Sequence, residues 1–339
     1  MEYAFLLWPH ANVRYRASMK ALAEAELVLL LRALGVEAVP AWASMGGADW
    51  MCFEAPAFSP EDWRLLSQHA ATYLTATRQG EALCPLERTH PAYVGEDLAA
   101  LLKYKGKTNE MFTDMLLNVA LASSAFAREH AEPLSVLDPL CGRGTTLFLA
   151  LRRGWHAAGI EQDKGDIKEL NDYLTRYLEY HRMKHKKTES ALTVRGKLGG
   201  RQWRYELADT LEHYKAGDTR SLRALQGDTR DADVLYGANA FHLLVADLPY
   251  GVQHAPTDGR RAQPIEALMR AALPAWRAAL KPGGAAVLSF NTFVTPRAKV
   301  SGWLEEAGLE VLTGGAYEGM AHWVEQAVNR DVAVAVKRG

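Results

Sequence analysis

The sequence predicts an α/β protein: a doubly wound, mostly parallel sheet preceded by a small α+β unit. Three observations carry that expectation. From about residue 100 onward, apolar strand-like runs alternate with helical stretches, the rhythm of β-α-β crossovers. Within that region the buried run Leu134–Asp138 breaks into a glycine-rich turn and then a helix, as a parallel strand does when it feeds its crossover. The chain has 339 residues, more than the roughly 250–300 at which a single hydrophobic core stops growing, so a second, smaller unit is expected.

Taken in order, Tyr3–Trp8 reads as a short buried strand, and Val13–Gly35 carries apolar residues at helical spacing before stopping on Gly35. Val36–Glu54 holds two strands around the turn Met45-Gly46-Gly47. Ser59-Pro60-Glu61-Asp62 starts a helix, with Ser as N-cap, Pro at the first position and acids in the first turn. Tyr73–Arg78 and a stretch near Leu83 complete a βαββαβ order. Pro85–Gly95 reads as a linker, which divides the chain into a small unit, 1–95, and a larger domain, 96–339. In the larger domain Phe112–His130 is a helix, Leu134–Asp138 a strand, Thr145–Arg153 a helix and Trp155–Ile160 a strand. Later come the strand Phe241–Ala246, a helix from about Pro264 to Leu280, the strand Ala285–Phe290 and a helix around Arg297–Ala307. Terminal strands lie near Leu309–Leu312 and Asp331–Val336.

Apolar residues at 48% and charged residues at 23% exclude a disordered or collagen-like chain. Lys+Arg 39 against Asp+Glu 40 gives a formal charge of −1, which excludes diffuse, whole-surface binding of nucleic acid. The mean conceals an uneven distribution. Residues 164–204 hold eleven Lys/Arg and five acids, a net of +6, so the remainder sums to −7. This basic insertion, 164–207, is expected to be a helix extended to about Lys187, then a hairpin of Leu192–Lys197 and Gln202–Leu207 around Gly199-Gly200. Cys52, Cys84 and Cys141 are too far apart for a CxxC pair or a disulfide framework. His181 and His185 have metal-ligand spacing, but Arg182, Lys184, Lys186 and Lys187 disfavour a cation, and no metal is expected. Met1-Glu2-Tyr3 lacks a basic n-region, and Ala21–Leu34 is interrupted by Glu24, Glu26 and Arg32. A cytoplasmic protein without a membrane span is the expectation.

The chemistry concentrates in two motifs. The first is Asp138-Pro139-Leu140-Cys141-Gly142-Arg143-Gly144-Thr145 at the end of a strand. Its glycines allow positive φ and a close backbone approach to a ligand. A dinucleotide fingerprint would need glycine at 147, where Leu147 stands. Cys141 has no His/Asp partner pattern and suits a small buried filler. The motif resembles that of the class I, Rossmann-like methyltransferases, and its Asp-Pro-x-x-Gly-x-Gly-Thr form resembles the branch that methylates exocyclic amino groups. That resemblance implies a seven-stranded sheet and S-adenosyl-L-methionine (SAM) as cofactor. Gly142 and Gly144 would line its methionine end, with Asp138, Pro139 and Thr145 close by.

Two further acids fall where such a cofactor needs them. Glu161 ends the second strand, and a carboxylate there can accept bonds from both ribose hydroxyls. Asp228, beside Thr229 in Gln226-Gly227-Asp228-Thr229, is spaced to accept from the adenine amino group, with Asp218 in Gly217-Asp218-Thr219 as its rival.

The second motif, Asp247-Leu248-Pro249-Tyr250, resembles the (Asp/Asn)-Pro-Pro-Tyr tetrapeptide of amino-methyltransferases, with Leu248 in place of the first Pro. An exocyclic amino group has its lone pair delocalised into the ring. Acceptors on both N–H bonds, the Asp247 carboxylate and the Leu248 carbonyl, would localise that pair and aim it at the methyl. Tyr250 would stack on the planar substrate, and His254 follows close by. Lys281-Pro282-Gly283-Gly284 resembles the turn before strand five of this family. Lys107–Thr113 resembles its methionine-contacting segment, with Phe112 or Thr113 as contacts and Asn109 suited to capping the helix.

The overall arrangement resembles the THUMP-associated tRNA guanine-N2 methyltransferases, which carry a ferredoxin-like N-terminal domain. The resemblance implies an RNA partner, tRNA above all, held through the basic insertion 164–204. DNA amino-methylation and protein-glutamine or small-molecule N-methylation use the same two acceptors and stay open, as does a non-enzymatic binding protein on this scaffold. The oligomeric state is not legible.

Overall fold

The computed structural model describes residues 1–9, 13–88, 92–104, 106–128, 133–249, 257–258, 261–262 and 264–339. The N-terminal part runs β1 (Glu2–Leu7), α1 (Val13–Ala33), β2 (Ala41–Met45), β3 (Ala48–Glu54), α2 (Pro60–Leu66), β4 (Thr72–Gln79) and β5 (Ala82–Leu86). Its sheet is antiparallel in the order β2-β3-β1-β4-β5. The first four strands are the expected βαββαβ, a ferredoxin-like arrangement, and β5 is added at the edge. β5 carries Pro85, assigned to the linker in the sequence reading; an edge strand tolerates a residue without an N–H. The β2–β3 turn uses Gly46 (φ 59°) and Gly47 (φ 78°), whose positive φ matches the twist of a two-residue hairpin. Ser59 caps α2, its Oγ accepting from Asp62 N at 3.1 Å.

The second sheet follows α3 (Leu98–Leu101) and α4 (Glu110–Ser123). Its elements are β6 (Ser135–Asp138), α5 (Thr145–Arg152), β7 (His156–Glu161), α6 (Lys164–Tyr180), β8 (His185–Val194), β9 (Lys197–Leu207), α7 (Leu211–Ala216), β10 (Arg220–Gln226), α8 (Ala232–Tyr236) and β11 (Phe241–Asp247). After the short ladder β12 (Thr257–Asp258) and β13 (Arg261–Ala262) come α9 (Ile265–Ala279), β14 (Leu280–Asn291), α10 (Arg297–Glu306), β15 (Glu310–Leu312), β16 (His322–Glu325) and β17 (Val328–Val336). The order is β15-β17-β14-β11-β6-β7-β10-β9-β8, with β16 on β17. The five central strands β14, β11, β6, β7 and β10 are parallel, and β17 returns antiparallel. Without β8, β9 and β16 this is the doubly wound seven-stranded sheet expected.

Three boundaries differ from expectation. The α4 helix stops at Ser123 rather than His130, because Ser124 turns extended and Ala125 N donates to Gly283 O at 2.9 Å, tying the chain to the turn within β14. The α6 helix stops at Tyr180 rather than about Lys187; Arg182 takes a left-handed φ of 53° and the basic run enters β8. The hairpin turns at Arg195-Gly196 (φ 47° and 77°), not at Gly199-Gly200. Gly200 lies within β9, where a Cβ would stand 1.9 Å from Gln226 O, so close strand approach accounts for that glycine.

The α1 helix packs on α4, so Leu27, Leu30 and Leu31 share one apolar cluster with Met115, Leu116 and Val119. A buried polar network crosses the same junction. Arg153 donates to Asp114 (2.6 Å), Asn118 (2.6 Å) and Gln68 Oε1 (2.7 Å), while Asn118 donates to Gln68 O (2.7 Å) and to Glu26. No described helix is long and apolar enough to cross a membrane.

Candidate active site

In-register parallel pairing places Asp138, Glu161 and Asp247 at the ends of β6, β7 and β11, with Asp228 just past β10. Ligands of open α/β sheets bind beyond these carboxyl ends. A cleft of about 840 Å³ opens there. Among its walls are Asp138, Pro139, Gly142 and Thr145 from the first motif, Glu161, Asp228 and Thr229, and Asp247, Leu248 and Pro249 from the second, with Thr113 alongside. Gly144 supports the cleft from behind: its φ is 90°, and a Cβ would meet Leu170 at 2.8 Å. Tyr250 and His254 lie outside the described residues. Asp218 precedes β10, at the opposite end of that strand from Asp228 and away from the carboxyl ends.

The glycine turn and Glu161 hold each other. Gly142 N donates to Glu161 Oε2 at 2.9 Å, and Asp163 N donates to Oε1 at 2.7 Å. Burial raises the Glu161 carboxyl despite these bonds. Asp138 is 4% exposed and accepts from Leu140 N at 3.0 Å. Burial, aided by the charges of Asp247 and Glu161 and opposed by bonds from Thr146 and Leu140, pushes it up to about 7. Two of the basic side chains at the cleft are paired with acids, Arg143 with Asp166 (2.8 Å) and Glu169, and Arg230 with Asp228. Asp138 and Glu161 are buried carboxyls that desolvation holds back from ionising, so a cation brought beside them stabilises their charged form, and SAM carries its positive charge on the sulfonium and the α-ammonium group. The residues present therefore fit that cofactor.

Asp228 caps the turn after β10, accepting from Arg230 N at 2.9 Å, and its carboxylate is also gripped by the Arg230 guanidinium at 2.9 Å. Arg230 lines the cleft and is not foreshadowed in the sequence. Cys141 is buried, and burial raises its thiol well above the ordinary value, so it packs as an inert filler against Gly159.

On the acceptor side, Thr108 Oγ1 donates to Asp247 Oδ2 at 2.5 Å, and Arg330 Nη2 lies 3.9 Å from the same oxygen. Leu248 N donates to Ser289 O at 2.8 Å, and the Leu248 side chain is 2% exposed. Burial and that bond anchor the peptide where a proline ring would otherwise stiffen it. Phe112 does not line the cleft; it lies beneath Arg330 (4.6 Å) and against His322 (5.0 Å). Burial pushes His322 down to about 4, so it is neutral near Asp247 at pH 7. Asn109 caps α4, accepting from Phe112 N at 3.2 Å. Thr108 and Tyr104 were missed in the sequence reading, although Thr108 falls within the flagged Lys107–Thr113 segment.

The strand order and the cleft together define a doubly wound, Rossmann-like α/β fold whose site opens at the carboxyl ends of its strands. No family model and no curated protein matches the chain. Among solved structures the fold is similar to TrmN from Thermus thermophilus, with 17% identity and a TM-score of 0.41 over 91% of this chain and 64% of that one. This chain thus spans less than two thirds of that protein. It is also similar to the rRNA methyltransferase AviRa from Streptomyces viridochromogenes, with 16% identity and a TM-score of 0.39 over 71% and 91% of the two chains. A TehB-like SAM-dependent methyltransferase from Corynebacterium glutamicum gives 16% identity and 0.37 over 62% and 83%.

Proposed function

We propose that the protein is a SAM-dependent N-methyltransferase acting on an exocyclic amino group of RNA, with guanine N2 of tRNA as the favoured target. The observation that carries this reading is the meeting, in one cleft, of the Asp138–Thr145 turn, Glu161 and the acceptor Asp247. When bound, SAM supplies an electrophilic methyl group on a sulfonium. Gly142, Thr145 and Thr113 hold its methionine end, with Gly144 shaping the turn behind them, Asp138 offsets its positive charge, Glu161 takes the ribose hydroxyls, and Asp228 and Thr229 border the adenine. Asp247 and the Leu248 carbonyl accept from the two amino N–H bonds and turn the nitrogen lone pair toward the methyl. Pro249 stiffens the turn, and Tyr250 stacks on the base. In this reading 1–95 is the smaller unit and 96–339 the methyltransferase domain.

The basic segment supports a polyanionic partner. β8 runs in the same direction as β10, so its turn at Arg195-Gly196 lies on the carboxyl-end side of the sheet, the side on which the cleft opens, and Arg195 pairs there with Asp231 at 2.9 Å. Its other end carries exposed Arg182, Lys184, Lys186 and Lys187 beside Tyr180, itself 83% exposed. Ten strand residues span about 33 Å, a track for several phosphates leading to the cleft.

The test is transfer of labelled methyl from SAM to tRNA, rRNA, DNA and protein fractions, followed by nucleoside analysis. Label in N2-methylguanosine from tRNA is expected. Label in DNA or protein alone overturns the RNA reading, and Asp247→Ala with full activity overturns the amino-group mechanism.

A further inference from the structure

We infer that Thr108 is a positioning residue that sets the orientation of the Asp247 carboxylate; this rests on the amino-group reading above. Thr108 lies between α3 and α4, 139 residues from Asp247 in sequence. Described parts of this connection are fastened at three points. Lys107 Nζ donates to Ala99 O at 2.6 Å and pairs with Glu110. The Tyr104 ring lies 4.6 Å from the Arg143 guanidinium, with its hydroxyl 3.5 Å from Thr145 Oγ1. Thr108 Oγ1 donates to Asp247 Oδ2 at 2.5 Å. The segment therefore reaches from the glycine turn that would hold the methyl donor to the carboxylate that would hold the methyl acceptor.

The geometry gives that hydroxyl a specific task. The terminal torsion of an aspartate has a broad, roughly two-fold profile, so the backbone of β11 places Asp247 without fixing the plane of its carboxylate. A hydroxyl donated to Oδ2 selects one plane. Arg330 cannot substitute for it: at 3.9 Å from the same oxygen it contributes charge rather than a directional bond. In-line transfer depends on that plane, because the acceptor N–H must be held while the lone pair points at the methyl, and a misplacement of about 1 Å costs about 100-fold in rate. The hydroxyl is not expected to contribute to cofactor affinity, since its bond is made to the acceptor carboxylate.

Thr108→Val removes the hydroxyl and keeps the shape, Thr108→Ser keeps the hydroxyl, and Thr108→Ala guards against a folding defect peculiar to valine. With SAM and tRNA, kcat is expected to fall about 10- to 100-fold in the valine and alanine variants. KM for tRNA and the Kd for SAM should stay within about twofold, and serine should restore kcat to within about threefold of the parent. Parent-like kcat in both valine and alanine variants overturns the inference. So does a serine variant as slow as valine, or a SAM Kd that rises in step with the loss of kcat. Asp247→Ala is measured in parallel. If it turns over normally, the amino-group reading fails; if it is inactive while Thr108→Val is normal, the Thr108 inference alone fails.

Discussion

Asp138 and Asp247 end neighbouring parallel strands, and the charge of Asp247 helps hold the Asp138 carboxyl at about 7. Burial is the larger cause, and the bonds from Thr146 and Leu140 only partly offset it. The Asp138 carboxyl is therefore poised to gain or lose a proton near neutral pH.

A cation bound beside Asp138 favours its ionised form. SAM binding is expected to release a proton below about pH 7, with affinity climbing by up to about tenfold per pH unit and levelling off above that value. Calorimetry from pH 6 to pH 8.5, in buffers of different ionisation enthalpy, measures both quantities. Asp138→Asn should bind SAM more weakly at pH 8 and show a flat profile. A parent-like profile in that variant would remove Asp138 from the cofactor site.

Without ligand the same group acts on folding. Its folded pKa of about 7 lies above the ordinary carboxylate value of about 3.9, so the folded chain keeps a proton that the unfolded chain releases. This contribution is fully present below about pH 4 and is lost as pH rises to about 7. Asp138→Asn should melt above the parent at pH 8 and show no such advantage at pH 4. Equal melting shifts at both pH values would contradict the assignment.

Arg153 clamps the junction between the two sheets. Burial would raise the Asp114 carboxyl, yet Arg153 and Arg152 hold it below its ordinary value. Arg153→Met leaves the buried Asp114 carboxylate to Arg152 alone (2.6 Å) and strands Gln68 and Asn118, and should cost about 3 kcal/mol in urea unfolding, the low end for a broken buried pair because one cation remains. Adding Asp114→Asn should recover part of that loss, because the two changes share one interaction. A cost under about 1 kcal/mol for Arg153→Met would show that the network does not clamp the junction.

How much was legible follows from the range of each determinant. Asp138, Glu161 and Asp247 were readable because each closes an apolar run, and a parallel sheet brings such ends together. The hairpin turn was misplaced because Gly199-Gly200 has turn composition, whereas Gly200 answers the approach of Gln226 O from a neighbouring strand. Arg195-Gly196, the actual turn, puts a non-glycine at positive φ, which composition does not advertise. Thr108 and Arg330 were invisible for a different reason. Each meets Asp247 only through the tertiary fold, and no local period records such a contact.

The hairpin offers a direct check on the polyanion reading. Thr188 pairs with Arg204, and Lys186 lies two residues earlier on β8, so Lys186 and Arg204 share one face. Both are exposed, and Arg223, across from Arg204 on β10, adds a third cation to that face. Replacing Lys186 and Arg204 together by alanine removes two charges without entering the cleft. If each meets one phosphate of single-stranded RNA, KM for tRNA should rise and the slope of log KM against log salt should flatten by about 1.4. Kd for SAM and kcat at saturating tRNA should be unchanged, since neither residue lines the cleft. An unchanged salt slope would place the RNA on another surface and leave this face as a solvated sheet edge, whose lysines serve to discourage pairing with a second strand.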